Sequence, residues 1–496
     1  MSSSIEQSRR DVHKAFEAIL AVADSSKSRS LWAVERELWT LILALGRVTI
    51  SLFLARQVSR ERDEKYEHKG VRYVLRGTRT SPLNTRFGRV SFTRPIGRRP
   101  SALKRAADLI VDRELGLGSG FSLGVTLGIV RLYAQMSFAN ALELYREIYE
   151  WAPSPRAAMR MVDAVGKRAR AFIEQAPAPK DDGEILVLQV DGGGAPMIGE
   201  AEYQRRRQPK TKPKDEKGTR RGARKKRRQN EPKKRRAPGK KSKNAKVAFV
   251  AVIYTLAKTP DGLEGPINKR VIGTFESHRA LFDWLKVEAI KRGYGKKKTL
   301  FIADGSDHIW KLQQEYFPDA EACLDWYHLA EYLWTAGRSV HPNVPKYLKE
   351  WVGEQKEQLR AGEIAAVIKE LSERLAAIPK TGPGNKGKRE RLTTALRYFE
   401  KHKKRMPYAA FIADDFDIGS GAVEGAIRNV VRMRLDGPGM RWGRRRAEWI
   451  LHLRCILVSG QWQEFTDELV LEEVVQLAAQ PVLTQPHVAR PRGVAA

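Results

Sequence analysis

Five short apolar segments between residues 184 and 326, interrupted by two helical ones, restrict this part of the chain to an α/β fold. A nearly continuous apolar run of four to eight residues is typical of a strand buried on both faces. Ser277 can cap a helix that reaches about Arg292, and a second helix follows over His308–Phe317. The order predicts a mixed sheet with helices packed on its faces. The predicted strands are Glu184–Val190, Val247–Leu256, Lys269–Phe275, Thr299–Ala303 and Ala322–Trp326.

Three acidic residues lie within or directly after apolar elements, where a carboxylate is costly to place. Asp191 follows the first predicted strand, Asp304 follows the fourth, and Glu424 lies in a helix-like stretch between Val423 and Ile427. Negative charges forced together at the edge of a sheet repel each other unless a cation lies between them. The pattern therefore predicts a divalent-metal site. The alternative is that each acid only caps an element or pairs with an arginine.

The residues around two of these acids refine the prediction. Asp191 runs into three glycines, residues 192–194, and we expect their missing side chains to let a phosphodiester backbone approach closely. Glu424 shares an i, i+3, i+7 stripe with Ile427 and Val431. The stripe predicts that Glu424 is aimed at the sheet.

The charge of the chain indicates a polyanionic partner. Its formal net charge is +33 and its pI is about 10.1, a balance typical of proteins that bind nucleic acid. More than half of that charge lies in residues 204–246, which hold 22 Lys and Arg against three acids and no large apolar side chain. Such a segment is predicted to be a disordered loop. It is either a phosphate-binding arm or a solvated insertion without a defined role.

The cysteine content indicates the cellular compartment of the protein and restricts the types of metal site that it can form. Two cysteines, Cys323 and Cys455, form neither a disulfide framework nor a cysteine zinc site, so we expect a reducing, cytoplasmic location close to the nucleoid. The polar N-terminus shows no signal peptide. The apolar stretch Leu38–Ala55 is about long enough to cross a bilayer, but it contains Arg47 and several hydroxyl side chains. It is therefore predicted to be a buried helix.

A helix-turn-helix is predicted upstream of the strands. Ser137 can cap one helix, and Ser154 with Pro155 supplies the cap and first-turn pair of the next. Two helices across a short turn fit a DNA-reading motif, and the second helix is strongly basic. A plain helical hairpin in a basic protein is the alternative. The predicted DNA-contacting side chains on the second helix are Arg156, Arg160, Lys167 and Arg168, with Arg170 beside them.

The remaining chain is mostly helical. Helices are predicted over Ile5–Ala23 and Leu31–Arg56, and a basic hairpin over Tyr73–Pro95. A helical insertion is predicted from Tyr347–Gly362, Ile364–Ala377 and Arg389–Arg405, for gripping DNA or for assembly. The predicted regions are 1–100 (helices and hairpin), 101–180 (helix-turn-helix), 181–342 (core, first part), 343–408 (insertion), 409–480 (core, second part) and 481–496 (disordered tail).

Arginines also follow Glu424 along the chain. Arg428, Arg432 and Arg434 are predicted to contact DNA phosphates beside a carboxylate site. Trp442, after a Gly-Pro turn, is predicted either to stack on an unpaired base or to pack in the core.

Four motifs in order carry a resemblance that extends from about Ser137 to about Arg454. They are the strand-ending Asp191, Asp304-Gly, Asp325-Trp-Tyr-His328 and Gly-Ser-Gly-Ala-Val-Glu424. Together they resemble the DDE transposases of bacterial insertion sequences, most of all the Kra-type group, and the Asp-x-x-His element resembles that of the mutator-like transposases. Some of these relatives carry a cysteine ribbon near the N-terminus, and this chain has no cysteines there.

The resemblance implies an RNase H-like core in which Asp191, Asp304 and Glu424 hold two Mg²⁺ ions, with Mn²⁺ as a substitute. It implies cleavage at transposon ends and strand transfer into target double-stranded DNA, by a homodimer or larger homo-oligomer because two ends must be joined. It implies that Asp325 and His328 organise the site, although a merely hydrogen-bonded histidine is the alternative. Two other functions stay open: a non-catalytic DNA-binding protein with a degenerate RNase H-like fold, and a structure-selective nuclease.

Overall fold

The computed structural model of the chain describes residues 2–25, 29–102, 107–117, 120–199, 202–204, 245–342 and 344–478. These residues form two compact units. The first comprises residues 1–165 and 462–496, and the second comprises residues 166–461. Most of the basic segment predicted over 204–246 and the whole tail predicted over 481–496 lie outside the described residues. The last two residues of that basic segment belong to a strand, which corrects its predicted end.

The first unit contains the predicted basic hairpin as part of a four-stranded antiparallel sheet. Its strands pair in sequence order, and the hairpin is formed by the second and third. Leu54, Leu83, Val90 and Phe92 pack together beneath it. The strands are β1 (Lys65–His68), β2 (Val71–Thr85), β3 (Gly88–Arg98) and β4 (Ala107–Asp108).

Two long helices precede this sheet, α1 (Ser2–Ala23) and α2 (Leu31–Val58). The helix prediction is confirmed, but the expectation that α2 is buried is wrong. Only Leu43 and Leu54 are buried along it, because α2 packs on α1 and β3 and leaves most of its apolar surface open. By length and composition alone α2 could cross a membrane.

Four further helices follow along the chain, and the last of them continues past Val165 into the second unit. They are α3 (Ile110–Glu114), α4 (Leu123–Gln135), α5 (Phe138–Tyr149) and α6 (Pro155–Gln175). Both predicted caps are present, since the Ser137 hydroxyl accepts from the Asn140 N–H at 3.2 Å and the Ser154 hydroxyl accepts from the Ala157 N–H at 3.2 Å. The helix Trp462–Ala478 also belongs to the first unit. A helical region with a tight interhelical turn is therefore present where the sequence predicts one.

The second unit is built on a five-stranded mixed sheet, as predicted. In spatial order its strands are β7, β6, β5, β8 and β9. Strand β6 is antiparallel to both of its neighbours, β7 and β5, and β8 and β9 run parallel to β5. The strands are β5 (Ile185–Pro196), β6 (Ala245–Thr259), β7 (Gly262–Thr274), β8 (Lys298–Ala303) and β9 (Glu321–Leu324).

Strand β5 is longer than predicted, and this changes the position of Asp191. The strand continues through the three glycines to Pro196, because β6 pairs with it along its whole length, from Ile185–Leu256 to Pro196–Ala245. Asp191 therefore lies inside β5 and not at its end. The parallel partner β8 does stop there, since the last pair of that ladder joins Val190 to Ala303.

Helices cover the sheet and carry the insertion. Ser277 caps α7 as predicted, accepting from the Ala280 N–H at 3.1 Å. The predicted insertion is confirmed as three helices, α10 to α12, and the last of them packs on α9. The helices are α7 (His278–Lys291), α8 (Asp307–Tyr316), α9 (Trp326–Val340), α10 (Pro345–Arg360), α11 (Ile364–Ala377), α12 (Asn385–His402), α13 (Tyr408–Ala413), α14 (Gly421–Ile427) and α15 (Arg444–Val458).

Candidate active site

Asp191 and Asp304 lie on neighbouring parallel chain segments, just past the point where β5 and β8 stop pairing. Asp191 lies one residue beyond the last β5–β8 pair, and Asp304 follows β8 directly. The Gly192 N–H donates to Asp191 Oδ1 at 2.6 Å, and the Ser306 N–H donates to Asp304 Oδ1 at 2.9 Å. Carboxyl ends of parallel strands are where open α/β sheets place ligands. The fold therefore brings two of the predicted acids to one place.

Glu424 reaches this edge on helix α14, which is anchored by a buried glutamine. Gln189, 1% exposed, accepts from the Val423 N–H at 3.0 Å and donates to the Tyr254 hydroxyl at 3.2 Å. It lies two residues before Asp191, on the same face of β5. The side chain that fixes the Glu424 helix is thus part of the strand that carries Asp191. Gln189 is not among the residues predicted for the site, although a lone amide inside an apolar strand is a signal for such a role.

A second anchor ties the first turn of α14 to the end of β9. Asp325 Oδ1 accepts from the Ser420 N–H at 2.6 Å, and the Trp326 N–H donates to the Ile418 carbonyl. Glu424 itself is 34% exposed and lies 3.9 Å from an Arg432 nitrogen. Hydrogen bonds to Gln189 on β5 and to Asp325, directly after β9, therefore determine where the third acid lies.

The three glycines after Asp191 are used mainly for packing. A methyl group on Gly192 would lie 2.7 Å from Val247, and one on Gly193 would lie 2.9 Å from Ile427. Only Gly194 faces open space. The prediction that the triplet exists for the approach of a phosphodiester is therefore wrong for two of the three. Their absent side chains let β6 and the Glu424 helix lie directly on β5.

The helix that carries Glu424 is not a regular α-helix beyond Ile427. A π-helical segment, Arg428–Arg432, follows it and leads into a last turn, Met433–Leu435. The segment still buries Val431, whose Cγ1 would lie 3.1 Å from a methyl group on Gly193. Ile427 and Val431 of the predicted stripe do face the sheet at Gly193, although the π-helical segment makes the spacing wider than in an α-helix.

The carboxylates influence one another electrostatically. Burial raises the pKa of Asp191 to about 6, the Gly192 N–H opposes this, and the charges of Asp304 and Glu424 raise it further. A carboxylate held near two others binds a proton more readily, and it would gain equally from a metal cation. Perturbed acids of this kind are typical of functional sites.

The donor set fits Mg²⁺ in chemistry, but it is not preformed as a metal cage. Mg²⁺ prefers carboxylate oxygens, and three carboxylates at one sheet edge supply them. Within the described ranges, no group of three or more His, Cys, Asp or Glu side chains is arranged to hold a metal ion. A shared ion would therefore require the side chains of Asp191, Asp304 and Glu424 to move closer together.

Asp325 and His328 form a connected pair at the start of α9. The Asp325 side chain is fully buried, and its Oδ2 binds the His328 backbone N–H at 2.8 Å and the ring Nδ1 at 2.7 Å. This hydrogen bond raises the pKa of His328 to about 9, and although burial opposes the rise, the charges of Asp325, Asp191 and Asp304 add to it. His328 is therefore an imidazolium at neutral pH, close to two of the predicted acids.

Two of the residues predicted to bind DNA are instead part of the core. Arg434 is 1% exposed and stacks over the Trp442 ring, 4.8 Å from its centroid. Trp442 is 6% exposed, and its Nε1 donates to the Leu435 carbonyl at 2.8 Å. These positions correct the prediction for both residues and agree with the alternative that Trp442 packs in the core. Arg428 and Arg432 are exposed, as contacts to phosphate require.

The basic face predicted on α6 is largely open. Arg156, Arg160 and Lys167 are exposed and lie on one side of the helix, while Arg168 is half-buried. Arg170 lies on the same side of the helix and is partly exposed, but its guanidinium is paired with Glu174 and Glu276. The stripe that remains carries three cations within about three turns.

The sequence matches no protein-family model and no curated protein. The functional argument therefore depends on the geometry of this chain and on its own motifs.

One stability experiment tests the electrostatics at Asp191. Its pKa in the fold lies above the ordinary 3.8, so its ionisation opposes folding as pH rises through that window. Replacing Asp191 with Asn is expected to raise the free energy of unfolding by about 1–2 kcal/mol at pH 7, after allowing for its partial exposure. At pH 4 the carboxyl is protonated in the fold and about half protonated in the unfolded chain, so most of the gain should be lost.

Chemical denaturation at pH 4 and pH 7, without divalent metal, measures this difference. Asp261→Asn, the same substitution on the exposed turn between β6 and β7, is the matched control and should show no such pH dependence. A loss of stability in Asp191→Asn at pH 7 would contradict the predicted crowding of charge.

Proposed function

We propose that this protein is a DNA transposase of the DDE type, which cleaves the ends of its element in a Mg²⁺-dependent reaction and joins them to target DNA. One observation carries the proposal. Asp191 lies in β5 just past the last β5–β8 pair, and Asp304 directly follows β8. The Glu424 helix is held in place by the Val423 N–H, which donates to Gln189, and by the Ser420 N–H, which donates to Asp325. These acids are 113 or more residues apart in sequence, so their convergence is a property of the fold.

The architecture of the second unit supports an RNase H-like assignment. Three antiparallel strands and two parallel ones make one sheet, and the last acid comes from a helix that packs on the central strand β5. The insertion α10–α12 lies in sequence between β9 and that helix, where the family resemblance implies one. The α5–α6 pair with its basic face supports a helix-turn-helix that reads transposon ends.

Each part of the site has a role in phosphoryl transfer. Asp191, Asp304 and Glu424 would hold Mg²⁺, and bound Mg²⁺ ions stabilise the charge that develops during an in-line displacement at phosphorus. The His328 imidazolium supplies positive charge next to the acids, and Asp325 fixes its orientation. Arg428 and Arg432, exposed after Glu424, would contact phosphates of the bound DNA. A homodimer on two DNA ends, in the cytoplasm at the nucleoid, completes the proposal.

One observation favours a second candidate, a non-catalytic DNA-binding protein with a degenerate RNase H-like fold. The described acids are not arranged to hold a metal ion. A binding protein would keep the basic surfaces and would not need the carboxylates. The two candidates differ in a single measurable property, Mg²⁺-dependent cutting of DNA.

The test uses a labelled duplex that carries the DNA flanking the coding region. With Mg²⁺ or Mn²⁺ we expect a nick that leaves a 3′-hydroxyl at the element end, and a larger joined product when target plasmid is added. EDTA should abolish both. Binding without any cutting would favour the non-catalytic protein, and cutting without a joined product would favour a structure-selective nuclease.

A further inference from the structure

A cavity of about 450 Å³ lies between the candidate active site and the helical insertion. Asp304 and Ser306 line it from the loop after β8, and His328 and Tyr332 line it from one face of α9. Its remaining wall is helix α12. The volume is in the range of small-molecule sites, and the cavity opens beside the acid that ends β8. The candidate active site therefore continues into the insertion.

The wall supplied by α12 is polar, although it faces the protein. Thr394, Arg397, Tyr398 and Lys401 follow one another at i, i+3, i+4 and i+7 and so share one face of the helix. A helix face that packs on a core is normally apolar. The apolar residues Leu392, Ala395 and Phe399 are buried on the other side of α12. The insertion thus turns a cationic face towards Asp304.

An aromatic pair with an unsatisfied hydroxyl forms the middle of this wall. The rings of Tyr332 and Tyr398 stack with centroids 3.8 Å apart, and Tyr398 occupies the space where a Cβ of Gly305 would lie. The Tyr398 hydroxyl is buried and has no hydrogen-bond partner among the described residues. Burial raises the pKa of Tyr398, so the phenol keeps its proton and is available as a donor. A buried donor without a partner is costly unless a ligand accepts from it.

Apart from the Asp304 carboxylate, the charged side chains that line the cavity are cations. Arg397 is exposed and forms no ion pair within the part of the chain that the structure describes. Lys401 binds the Asp307 carboxylate, and His328 is cationic at neutral pH. Guanidinium, ammonium and phenol groups all donate to phosphate oxygens, so the donors that line this cavity suit a phosphate.

We propose that this cavity binds one backbone phosphate of the DNA strand beside the bond that is cleaved, held by Arg397, Lys401 and the Tyr398 hydroxyl. The proposal rests on the proposed function, because it takes Asp304 to mark the scissile position. It assigns the insertion to substrate positioning, one of the two roles that its sequence left open. Phosphate contacts of this kind fix the register of DNA and carry no sequence preference.

The experiment measures DNA binding without cleavage. Fluorescence anisotropy of a fluorescein-labelled duplex with the DNA flanking the coding region is recorded in EDTA over a range of salt concentrations. Arg397→Ala is expected to weaken binding about tenfold and to lower the slope of log K against log salt by about one. Tyr398→Phe, which removes only the hydroxyl, is expected to weaken binding about three- to tenfold. Lys386→Ala, an exposed cation of the same helix away from the cavity, is the matched control.

A second experiment replaces the phosphates of the strand one at a time with charge-neutral methylphosphonate linkages and combines each replacement with the protein variants in a double-mutant cycle. It tests whether Arg397 contacts one particular phosphate. At one position near the cleaved bond, neutralisation should weaken binding by the parent and by Lys386→Ala, and should have little further effect on Arg397→Ala. Equal losses at every position in all three proteins would overturn the phosphate subsite.

The outcomes also separate this proposal from the proposed function. A parent that cuts with Mg²⁺ but shows no coupling between Arg397 and a particular phosphate would keep the transposase and reject the subsite. Coupling in a parent that never cuts would keep the subsite and reject the transposase. A parent that does not bind the duplex would overturn both.

Discussion

Replacing Glu424 with Gln is expected to lower the rate of Mg²⁺-dependent cleavage by about a thousandfold or more. The substitution keeps the shape of the side chain and removes one of three proposed carboxylate ligands of Mg²⁺. We expect this loss to reduce stabilisation of the transition state at least as much as the loss of a single oxyanion-hole donor does. A thousandfold loss corresponds to about 4 kcal/mol of activation free energy. Single-turnover cleavage of the labelled duplex at saturating protein measures the chemical step.

The fold itself should tolerate this change. Glu424 is partly exposed, and its negative charge raises the pKa of Asp191. Its removal therefore relieves repulsion in the metal-free protein, and the melting temperature of Glu424→Gln should equal or exceed that of the parent. A loss of cleavage could then not be attributed to unfolding.

Glu331→Gln is the matched control for this experiment. Glu331 lines the same shallow cavity as Glu424, together with Tyr327 and His328, and its replacement makes the same change in charge. We expect cleavage by Glu331→Gln to stay within about threefold of the parent, as for most exposed substitutions. If Glu424→Gln cuts as fast as this control, the assignment of the active site is wrong.

Much of the second unit follows from local sequence, because its strands are buried on both faces. The apolar runs at residues 185–190 and 299–303 have no amphipathic alternative, and both are confirmed as strands. The bounds of β8 agree to within one residue, whereas β5 continues past its predicted end to Pro196. Helices such as α7 are also predictable, since Ser277 supplies a local capping signal.

Properties that depend on a distant partner could not be predicted in this way. Glycines weaken a strand locally, yet pairing with β6 extends β5 through residues 192–194 and places Asp191 inside it. From the sequence Arg434 is expected to be a surface arginine, but in the fold its guanidinium stacks on the Trp442 ring. The apolar pattern of α2 predicts burial, but the small antiparallel sheet covers only part of it.

In the candidate site, too, some residues can be identified from the local sequence and others only from contacts between distant parts of the chain. Asp191, Asp304 and Glu424 were identifiable because a charge in an apolar element is unusual within a short window of sequence. The side chains that position them were not. Gln189 and Tyr398 acquire their roles only when α14 and α12 are placed against the sheet edge, and no local pattern encodes those contacts.

Replacing Asp325 with Ala is expected to destabilise the protein by about 2–4 kcal/mol and to slow cleavage even where the protein remains folded. The carboxylate is fully buried and is hydrogen-bonded to the Ser420 N–H, the His328 N–H and the His328 ring Nδ1. Truncation leaves two buried backbone donors without an acceptor and removes the cap of α9. Because the Ser420 contact fixes the start of the Glu424 helix, we expect kcat to fall at saturating DNA.

A milder substitution separates this positioning role from a purely structural one. Asp325→Asn keeps an oxygen for the Ser420 N–H and removes the negative charge beside His328. The pKa of His328, about 9 in the parent, is expected to fall towards the ordinary 6.5, which an NMR titration of the histidine ring measures. His328 binds its proton more tightly in the fold, so its stabilisation is complete below pH 6.5 and lost as pH rises through about 9. The stability difference between parent and Asp325→Asn should therefore shrink above that pH.

His328→Ala completes the comparison, because it removes the imidazolium and leaves the bond from the Ser420 N–H to Asp325 in place. If Asp325 acts mainly by anchoring the Glu424 helix, His328→Ala should retain more stability and more cleavage than Asp325→Ala. Equal losses in the two variants would instead indicate that the imidazolium itself is the functional group of the pair. An Asp325→Ala protein that is as stable and as active as the parent would exclude both roles, since a buried carboxylate with three hydrogen bonds would then contribute nothing measurable to fold or site.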